Sequence, residues 1–236
     1  STFNVTVPTQ INLDALGGEA DRETTFTITG VLVDIMDTPL AGQTILLRED
    51  VTDIALTTTT TDGNGRFSLN YYLPNDATLG PNVFDIIYNA SGFYLASDTS
   101  STWNVFSPVI VTVTLPEAMA VGDEVTINGT LSDNILQPIS SLGVSLFVES
   151  LPIGNGTSNN SGGYLVNWLV DNRFQDGLNT LVVEVPAQGW YRFGTTSTTF
   201  MLAHRSGLDL EFDSDTTITR GERWNFNGRL YDLDDD

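Results

Sequence analysis

The sequence repeats itself with a period of about 99 residues, and this recurrence limits what the chain can fold into. The same pattern occurs as FTITGVLVD, VTINGTLSD and WNFNGRLYD, and its central glycine recurs every 99 residues, at Gly30, Gly129 and Gly228. A second set of matches lies 97 residues apart and includes Gly65 with Gly162. Recurrence at one period is typical of domains built to one plan and arranged in tandem. The chain is therefore predicted to consist of copies of one domain.

The repeat boundaries divide the chain into two complete units with a fragment at each end. STFNV at the start of the chain matches STWNV at 101–105, so residues 1–8 are predicted to form the last strand of a preceding repeat. The complete repeats are residues 9–106 and 107–204. Residues 205–236 match the start of the second repeat and are predicted to be the first strands of a following, truncated one. We expect the sequence to be a window on a longer array.

Strand signals dominate each repeat. Apolar runs rich in β-branched residues predict strands, and Gly, Pro, Asn and Asp separate them. In the second repeat these runs are 109–115, 124–131, 143–149, 163–170 and 179–185. Six to eight short strands in about 99 residues predict an all-β, immunoglobulin-like sandwich. Only Ser107–Pro108 separates the last strand of one repeat from the first of the next, which predicts directly joined domains in a stiff rod.

Two stretches of the first repeat carry a family resemblance. They read TGVLVDIMDTPLAGQTILLRED and TTTTDGNGRFSLNYYLP, and they resemble bacterial and archaeal immunoglobulin-like tandem repeats. They are also similar to carboxypeptidase-regulatory-like, transthyretin-like domains. The matching residues are Gly30, Asp34, Pro39, Leu40, Gly42, Thr61, Asp62, Asn64, Gly65 and Phe67. In the second repeat they are Gly129, Asp133, Pro138, Gly162 and Tyr164. The resemblance implies a prokaryotic, extracellular cell-surface protein, and leaves its role open between spacer, adhesin and array component.

Composition excludes several classes of function. The net charge of −21 disfavours binding to nucleic acid or to anionic lipid. All nine basic residues are arginine and no residue is cysteine, which excludes lysine-based and thiolate chemistry, disulfides and Lys–Asn isopeptide bonds. No apolar stretch approaches the ~18 residues of a membrane-spanning helix. The only histidine, His204, lies where the second repeat ends. We predict that the chain is not an enzyme and holds no cofactor other than a candidate calcium ion.

Two acidic stretches are candidate calcium sites, because carboxylate and amide oxygens suit a hard cation. One is the turn with Asp62 and Asn64, for which a tight hairpin turn is the alternative interpretation. The other is the acidic run Asp232, Asp234, Asp235 and Asp236, for which a solvated loop is the alternative. Candidate N-glycosylation acceptors are Asn4, Asn89, Asn128, Asn155 and Asn159, about as many as chance supplies.

The aromatic residues bear on a binding function. Trp103, Trp168 and Trp224 align with positions that are apolar in the other repeats, so we expect them in the core. Trp190, in the stretch Trp190-Tyr191-Arg192, aligns with Phe93 beside a glycine turn. It is the candidate exposed aromatic for carbohydrate, and packing on the end of a sandwich is the competing interpretation.

The leading hypothesis is a structural, non-catalytic segment of a long extracellular repeat protein: a surface fibre, stalk, adhesin shaft or surface-layer component. Its expected partners are further repeats of the same or identical chains, and glycans or surface proteins are the secondary candidates. One alternative is a carbohydrate- or protein-binding module. Others are accessory β-domains of a surface enzyme, and a filament subunit completed by strand exchange through residues 1–8.

Overall fold

The computed structural model describes residues 5–50, 54–212, 220 and 226–232. All regular elements in these ranges are β-strands, and none of the described residues forms a helix able to cross a membrane. The chain divides into two compact units. Unit 1 contains the described residues of Ser1–Pro108 and two later segments, Asp133–Leu136 and Ala187–Arg192. Unit 2 contains the described remainder of Val109–Asp236.

Unit 1 is a sandwich of a three-stranded and a five-stranded sheet. Its strands are β1 (Thr9–Leu13), β2 (Gly17–Asp21), β3 (Thr25–Asp34), β4 (Thr44–Glu49), β5 (Ala55–Thr60), β6 (Arg66–Tyr72), β7 (Gly80–Tyr88) and β8 (Ser97–Phe106). The sheets have the orders β1-β3-β6 and β2-β8-β7-β4-β5. Strand β2 runs parallel to β8, and the other pairs are antiparallel.

Alternation along the strands builds the core of unit 1. In β3, Phe26, Ile28 and Leu32 are buried, while the threonines between them face outward. Residues on alternate sides of a strand face opposite sides of the sheet, so one sequence pattern makes both core and surface. Trp103 packs against this core, with its ring 4.3 Å from that of Phe26.

Unit 2 repeats this architecture. Its strands are β9 (Ile110–Val111), β10 (Ala118–Ala120), β11 (Glu124–Ser132), β12 (Gly143–Val148), β13 (Leu151–Thr157), β14 (Gly163–Leu169), β15 (Gly177–Val185), β16 (Gly194–Ala203), β17 (Ser206–Phe212) and β18 (Phe226–Asp232). The sheets have the orders β9-β11-β14 and β10-β16-β15-β12-β13, and β17 pairs with β18. Strand β10 is parallel to β16, as β2 is to β8. Trp168 is buried in the core beside Phe174 and Phe200.

Two elements of unit 2 differ from the sequence expectation. The run 109–115 forms only the short β9 and a separate bridge between Thr114 and Asn128. The sequence did not predict β13, because Pro152 and two glycines interrupt its apolar pattern. Strand β13 lies at the edge of its sheet and pairs only with β12, and an edge strand tolerates proline.

The recurring glycine of the repeat sits where two backbones nearly touch. A Cβ atom on Gly129 would lie 2.0 Å from the carbonyl oxygen of Thr112 and 2.5 Å from the Tyr164 hydroxyl oxygen. On Gly30 it would lie 2.5 Å from the carbonyl oxygen of Asn12. The glycine therefore recurs because only a residue without a side chain lets the neighbouring segment approach this closely.

Tyr164 makes the stability of unit 2 sensitive to alkaline pH. Its hydroxyl donates to the Thr112 carbonyl at 2.6 Å, and burial raises its pKa from 10.0 to about 12. Because the folded pKa is the higher one, this contribution to stability is fully present below about pH 10 and is lost as the pH rises through about 12. We expect the melting temperature to fall across this window and to fall less steeply in Tyr164→Phe. Calorimetry at a series of pH values measures both slopes, and equal slopes would contradict the assignment.

Candidate functional site

The most buried charges in the described part of the chain lie together in unit 1. Arg22 and Asp133 are 9% and 4% exposed, and Arg22 Nη1 lies 3.0 Å from Asp133 Oδ2. Arg22 Nε donates to the carbonyl oxygen of Ala77 at 2.7 Å. Asp133 Oδ1 accepts from the backbone N–H of Ile135 at 3.0 Å. A buried ion pair needs such further hydrogen bonds to offset the desolvation of its two charges.

Asn134 extends this pair into a network, which we call the Arg22 cluster: Arg22, Ser107, Asp133 and Asn134. Asn134 Oδ1 accepts from Arg22 Nη1 at 3.2 Å and from the Ser107 hydroxyl at 3.0 Å. Its Nδ2 donates to Glu23 Oε2 and to the carbonyl oxygen of Asn75, both at 3.2 Å. The amide thus binds donors on one side and acceptors on the other. This arrangement fixes the segment Asp133–Leu136 within unit 1.

A second cation holds the other late segment of unit 1. Arg192 Nε donates to Asp21 Oδ1 at 2.7 Å, and its Nη1 donates to Glu19 Oε2 at 3.0 Å. The guanidinium carbon lies 3.8 Å from the ring centroid of Phe106, a cation–π distance. The hydrogen bond to Asp21 is the main cause of an Arg192 pKa above its usual value.

Trp190 packs within unit 1. Its ring lies 5.6 Å from that of Phe106 at an angle of 60°, and a Cβ on Gly80 would lie 3.1 Å from its indole ring. The residue remains 39% exposed. Trp190 thus both packs on Phe106 and remains exposed, and carbohydrate binding at this stretch stays a prediction.

The turn at Asp62 has an exact counterpart 97 residues later. Asp62 Oδ1 accepts from the backbone N–H groups of Asn64 and Arg66 at 2.8 and 2.9 Å. Asn159 Oδ1 accepts from those of Ser161 and Gly163 at 2.9 and 3.0 Å. A carboxylate and a neutral amide therefore accept the same two hydrogen bonds, and both residues form an Asx turn.

This equivalence predicts the effect of substitutions at Asp62. We expect Asp62→Asn to leave the free energy of unfolding within about 0.5 kcal/mol of wild type, as for a neutral surface change. Asp62→Ala removes both hydrogen bonds and should lower it by about 1–2 kcal/mol. Urea unfolding monitored by fluorescence measures both, and Asn159→Ala is the matched control. Equal losses in Asp62→Asn and Asp62→Ala would show that the charge, and not the turn, is what stabilises.

The second candidate calcium site lies largely outside the described residues. Asp232 ends β18, and its backbone pairs with Ser206. Asp234, Asp235 and Asp236 lie outside the described ranges. In the described portion of the chain, no three acidic or histidine side chains come close enough together to hold a metal ion. Calcium at either stretch stays a prediction.

Calcium binding can be tested on the chain directly. If either stretch binds calcium, the melting temperature of the chelator-treated chain should rise when calcium is added, because the ion binds only the folded state. Loss of that rise in Asp62→Ala would assign it to the turn. Its persistence there would point to the C-terminal acidic run. A melting temperature that does not respond to calcium would contradict both sites.

The described candidate glycosylation positions lie on the surface. The four described acceptor asparagines are exposed: Asn89, Asn128, Asn155 and Asn159. Asn4 lies outside the described residues, as does Trp224, and glycosylation stays a prediction. The backbone N–H of His204 donates to Asp176 Oδ1 at 2.8 Å, and its ring Nδ1 contacts the same oxygen. That contact is the main cause of a lowered Asp176 pKa.

Sequence reasoning missed Arg22 altogether. The residue 99 positions after Arg22 is Val121, so no charged position recurs there and comparing the repeats does not single out Arg22. One signal was available, because Arg22 is one of only nine cations in a chain with 30 acidic residues. A cation at a position that is apolar in the next repeat indicates a local electrostatic role.

Comparison with solved structures identifies the sandwiches. A structure of titin domains I67–I69, in an E-to-A mutated variant, matches with a TM-score of 0.54 and 10% identity. The match covers 98% of this chain and 90% of that one. The chain has the fold of tandem immunoglobulin-like domains. A D1–D4 ectodomain fragment of ICAM-5 matches with a TM-score of 0.51 and 14% identity, over 95% and 75% of the two chains.

These matches confirm the predicted all-β fold of tandem immunoglobulin-like domains. A tetra-tandem repeat from the extending region of a large adhesion protein also matches, with a TM-score of 0.41 and 12% identity. That match covers 98% of this chain and 64% of the adhesion protein's. No family model matches the chain, and no curated protein matches it.

Proposed function

We propose that this chain is a structural, non-catalytic segment of an extracellular repeat protein of a prokaryotic cell surface: a fibre, stalk, adhesin shaft or surface-layer component. The observation that carries the proposal is that corresponding polar positions do the same structural work in both sandwiches. Asp62 and Asn159 close the same turn, and Asn82 and Asn179 each donate to two backbone carbonyls of the preceding loop. A binding or catalytic site would be expected to break such a pattern at one repeat.

The residues that do depart from the repeat support the same proposal. Arg22 and Arg192 have the apolar counterparts Val121 and Leu95. Both guanidinium groups form hydrogen bonds inside unit 1, to Asp133 and Asp21 respectively. The resemblance to prokaryotic surface repeats supports an extracellular location.

The native protein tests this proposal. We expect intact mass spectrometry of the protein from its source cells to give a mass several-fold above the 25.6 kDa of this chain. Protease treatment of intact cells should release its peptides. Single-molecule stretching should lengthen the chain by somewhat less than about 33–36 nm per unfolding event, the extended length of one repeat of about 99 residues minus its folded length. A mass near 25.6 kDa, or peptides protected until the cells are lysed, would refute the proposal.

A further inference from the structure

Unit 1 carries an exposed apolar surface, the Met36 patch, defined as Ile35, Met36 and Phe93. These side chains are 69%, 82% and 68% exposed. They lie on two loops joined to one segment: the Val7 N–H donates to the Phe93 carbonyl at 2.8 Å, and the Ile35 N–H donates to the Pro8 carbonyl at 3.2 Å. Single exposed apolar residues are common on protein surfaces. Three large ones on adjoining loops form a patch, and such patches mark interaction sites.

The same two loops occur again later in the chain. Asp34 corresponds to Asp133 at 99 residues, and Phe93 corresponds to Trp190 at 97. The first loop has one geometry in both copies, because the N–H of Met36 donates to Asp34 Oδ1 as that of Ile135 donates to Asp133 Oδ1.

The backbone around the second loop is also repeated. The Ser107 N–H donates to the Trp190 carbonyl at 3.0 Å, as the Val7 N–H donates to that of Phe93 at 2.8 Å. The Arg192 N–H donates to the Ser107 carbonyl, as the Leu95 N–H donates to that of Val7, both at 2.9 Å.

The later copies of these loops are less exposed, with Trp190 at 39% against 68% for Phe93. Asp133 binds the buried guanidinium of Arg22, and Trp190 packs on Phe106. Ile135, the counterpart of Met36, is half-buried. The earlier loops have the same backbone geometry, and Asp34 supplies the carboxylate there. They are more apolar than the later loops, because Ile35 stands at the position that corresponds to Asn134. Within unit 1, the groups that contact the later loops are therefore a guanidinium, that of Arg22, and an aromatic ring, that of Phe106.

We infer that the Met36 patch, with Asp34 at its edge, docks another immunoglobulin-like repeat of the same polypeptide, one that presents a guanidinium to Asp34 and apolar side chains to Ile35, Met36 and Phe93. The inference rests on the proposed function, because it requires a further repeat. It deepens that function by naming the surface and the chemistry of its partner. Ion pairing supplies the registry and the apolar contacts supply most of the affinity.

Methionine oxidation tests the inference with internal controls. The chain has three methionines: Met36 is exposed, Met119 is buried and Met201 is half-exposed. Peroxide treatment followed by peptide mass spectrometry gives their separate rates in the full-length native protein and in residues 1–236 alone. We expect Met36 to oxidise several-fold more slowly in the native protein, with Met201 unchanged and Met119 slow in both. An equal Met36 rate in the two proteins would overturn the docking, even if the native mass upheld the proposed function.

The partner and the ion pair are tested separately. Photo-crosslinking from photo-methionine at position 36 should yield a peptide from another repeat of the same polypeptide. A peptide from a different protein would overturn the assigned partner. Asp34→Asn in the full-length protein keeps the turn acceptor but removes the charge, and it should speed the oxidation of Met36, whereas Asp37→Asn should not. Unchanged Met36 oxidation in Asp34→Asn would overturn the ion pair, and retained amide-exchange protection in β3 would show that unit 1 of the variant is folded.

Discussion

Asp133→Asn should lower the free energy of unfolding of unit 1 by about 3 kcal/mol, the largest effect we expect from a single polar substitution. The amide keeps the Oδ1 acceptor for the Ile135 N–H, so the turn survives. What is lost is the negative charge beside an arginine whose side chain is 8% exposed. A buried charge without its counter-charge is strongly destabilising, and the remaining bonds of Arg22 to Ala77 and Asn134 only reduce that loss.

Asp34→Asn is the matched control, because Asp34 makes the same turn on an exposed loop. It should change stability by less than about 0.5 kcal/mol in residues 1–236. Calorimetry gives the transition of each variant, and amide exchange in β3 and β7 assigns the change to unit 1. Combining Asp133→Asn with Arg22→Met should recover part of the loss, since the unpaired charge is then absent. An Asp133→Asn variant as stable as Asp34→Asn would show that the pair contributes nothing.

Gly129→Ala is the second substitution with a large expected effect. The new Cβ would lie 2.0 Å from the Thr112 carbonyl oxygen, so the segment before β11 must move away. That movement separates the Tyr164 hydroxyl from its acceptor and weakens the bond between the Thr112 N–H and the Thr130 carbonyl. We expect a loss of about 3 kcal/mol, the upper part of the usual range for overpacking.

Gly143→Ala is the control for this change, because a Cβ there has no heavy atom within 4 Å. It should alter unfolding by less than about 1 kcal/mol. Urea unfolding measures both variants, and amide exchange at Thr112 reports the local opening. Equal stability of Gly129→Ala and Gly143→Ala would mean that the close approach does not constrain the fold.

Local patterns account for what the sequence predicted well. Strand β11 was expected at 124–131 and spans Glu124–Ser132, because alternate residues from Val125 to Leu131 are apolar and a half-buried strand requires that alternation. The tight turn at Asp62 was one of the two interpretations of its sequence, and it is closed by the N–H groups two and four positions away, as is the turn at Asn159. In both cases the determining contacts are close in sequence.

The Arg22 cluster was not predictable because its contacts are distant. Arg22 and Asp133 are 111 residues apart in sequence. The repeat also made Asp133 look equivalent to Asp34, although only Asp133 pairs with the buried Arg22. Burial of a charge is a property of the packed fold, so no periodicity reveals it. The packing of Trp190 on Phe106 has the same cause, whereas Trp168 was predictable from its apolar counterpart in the first repeat.

The exchange of Asp62 for Asn159 separates surface charge from architecture. Because an amide fills the turn position as well as a carboxylate does, the fold does not dictate the sign of the surface at these places. Exchanging aspartate for asparagine at this turn therefore changes the net charge of −21 by one unit while the two hydrogen bonds of the turn are kept. Substitution of such a turn residue can adapt the domain to a new salinity, or to a differently charged neighbour, without changing the packing of its core.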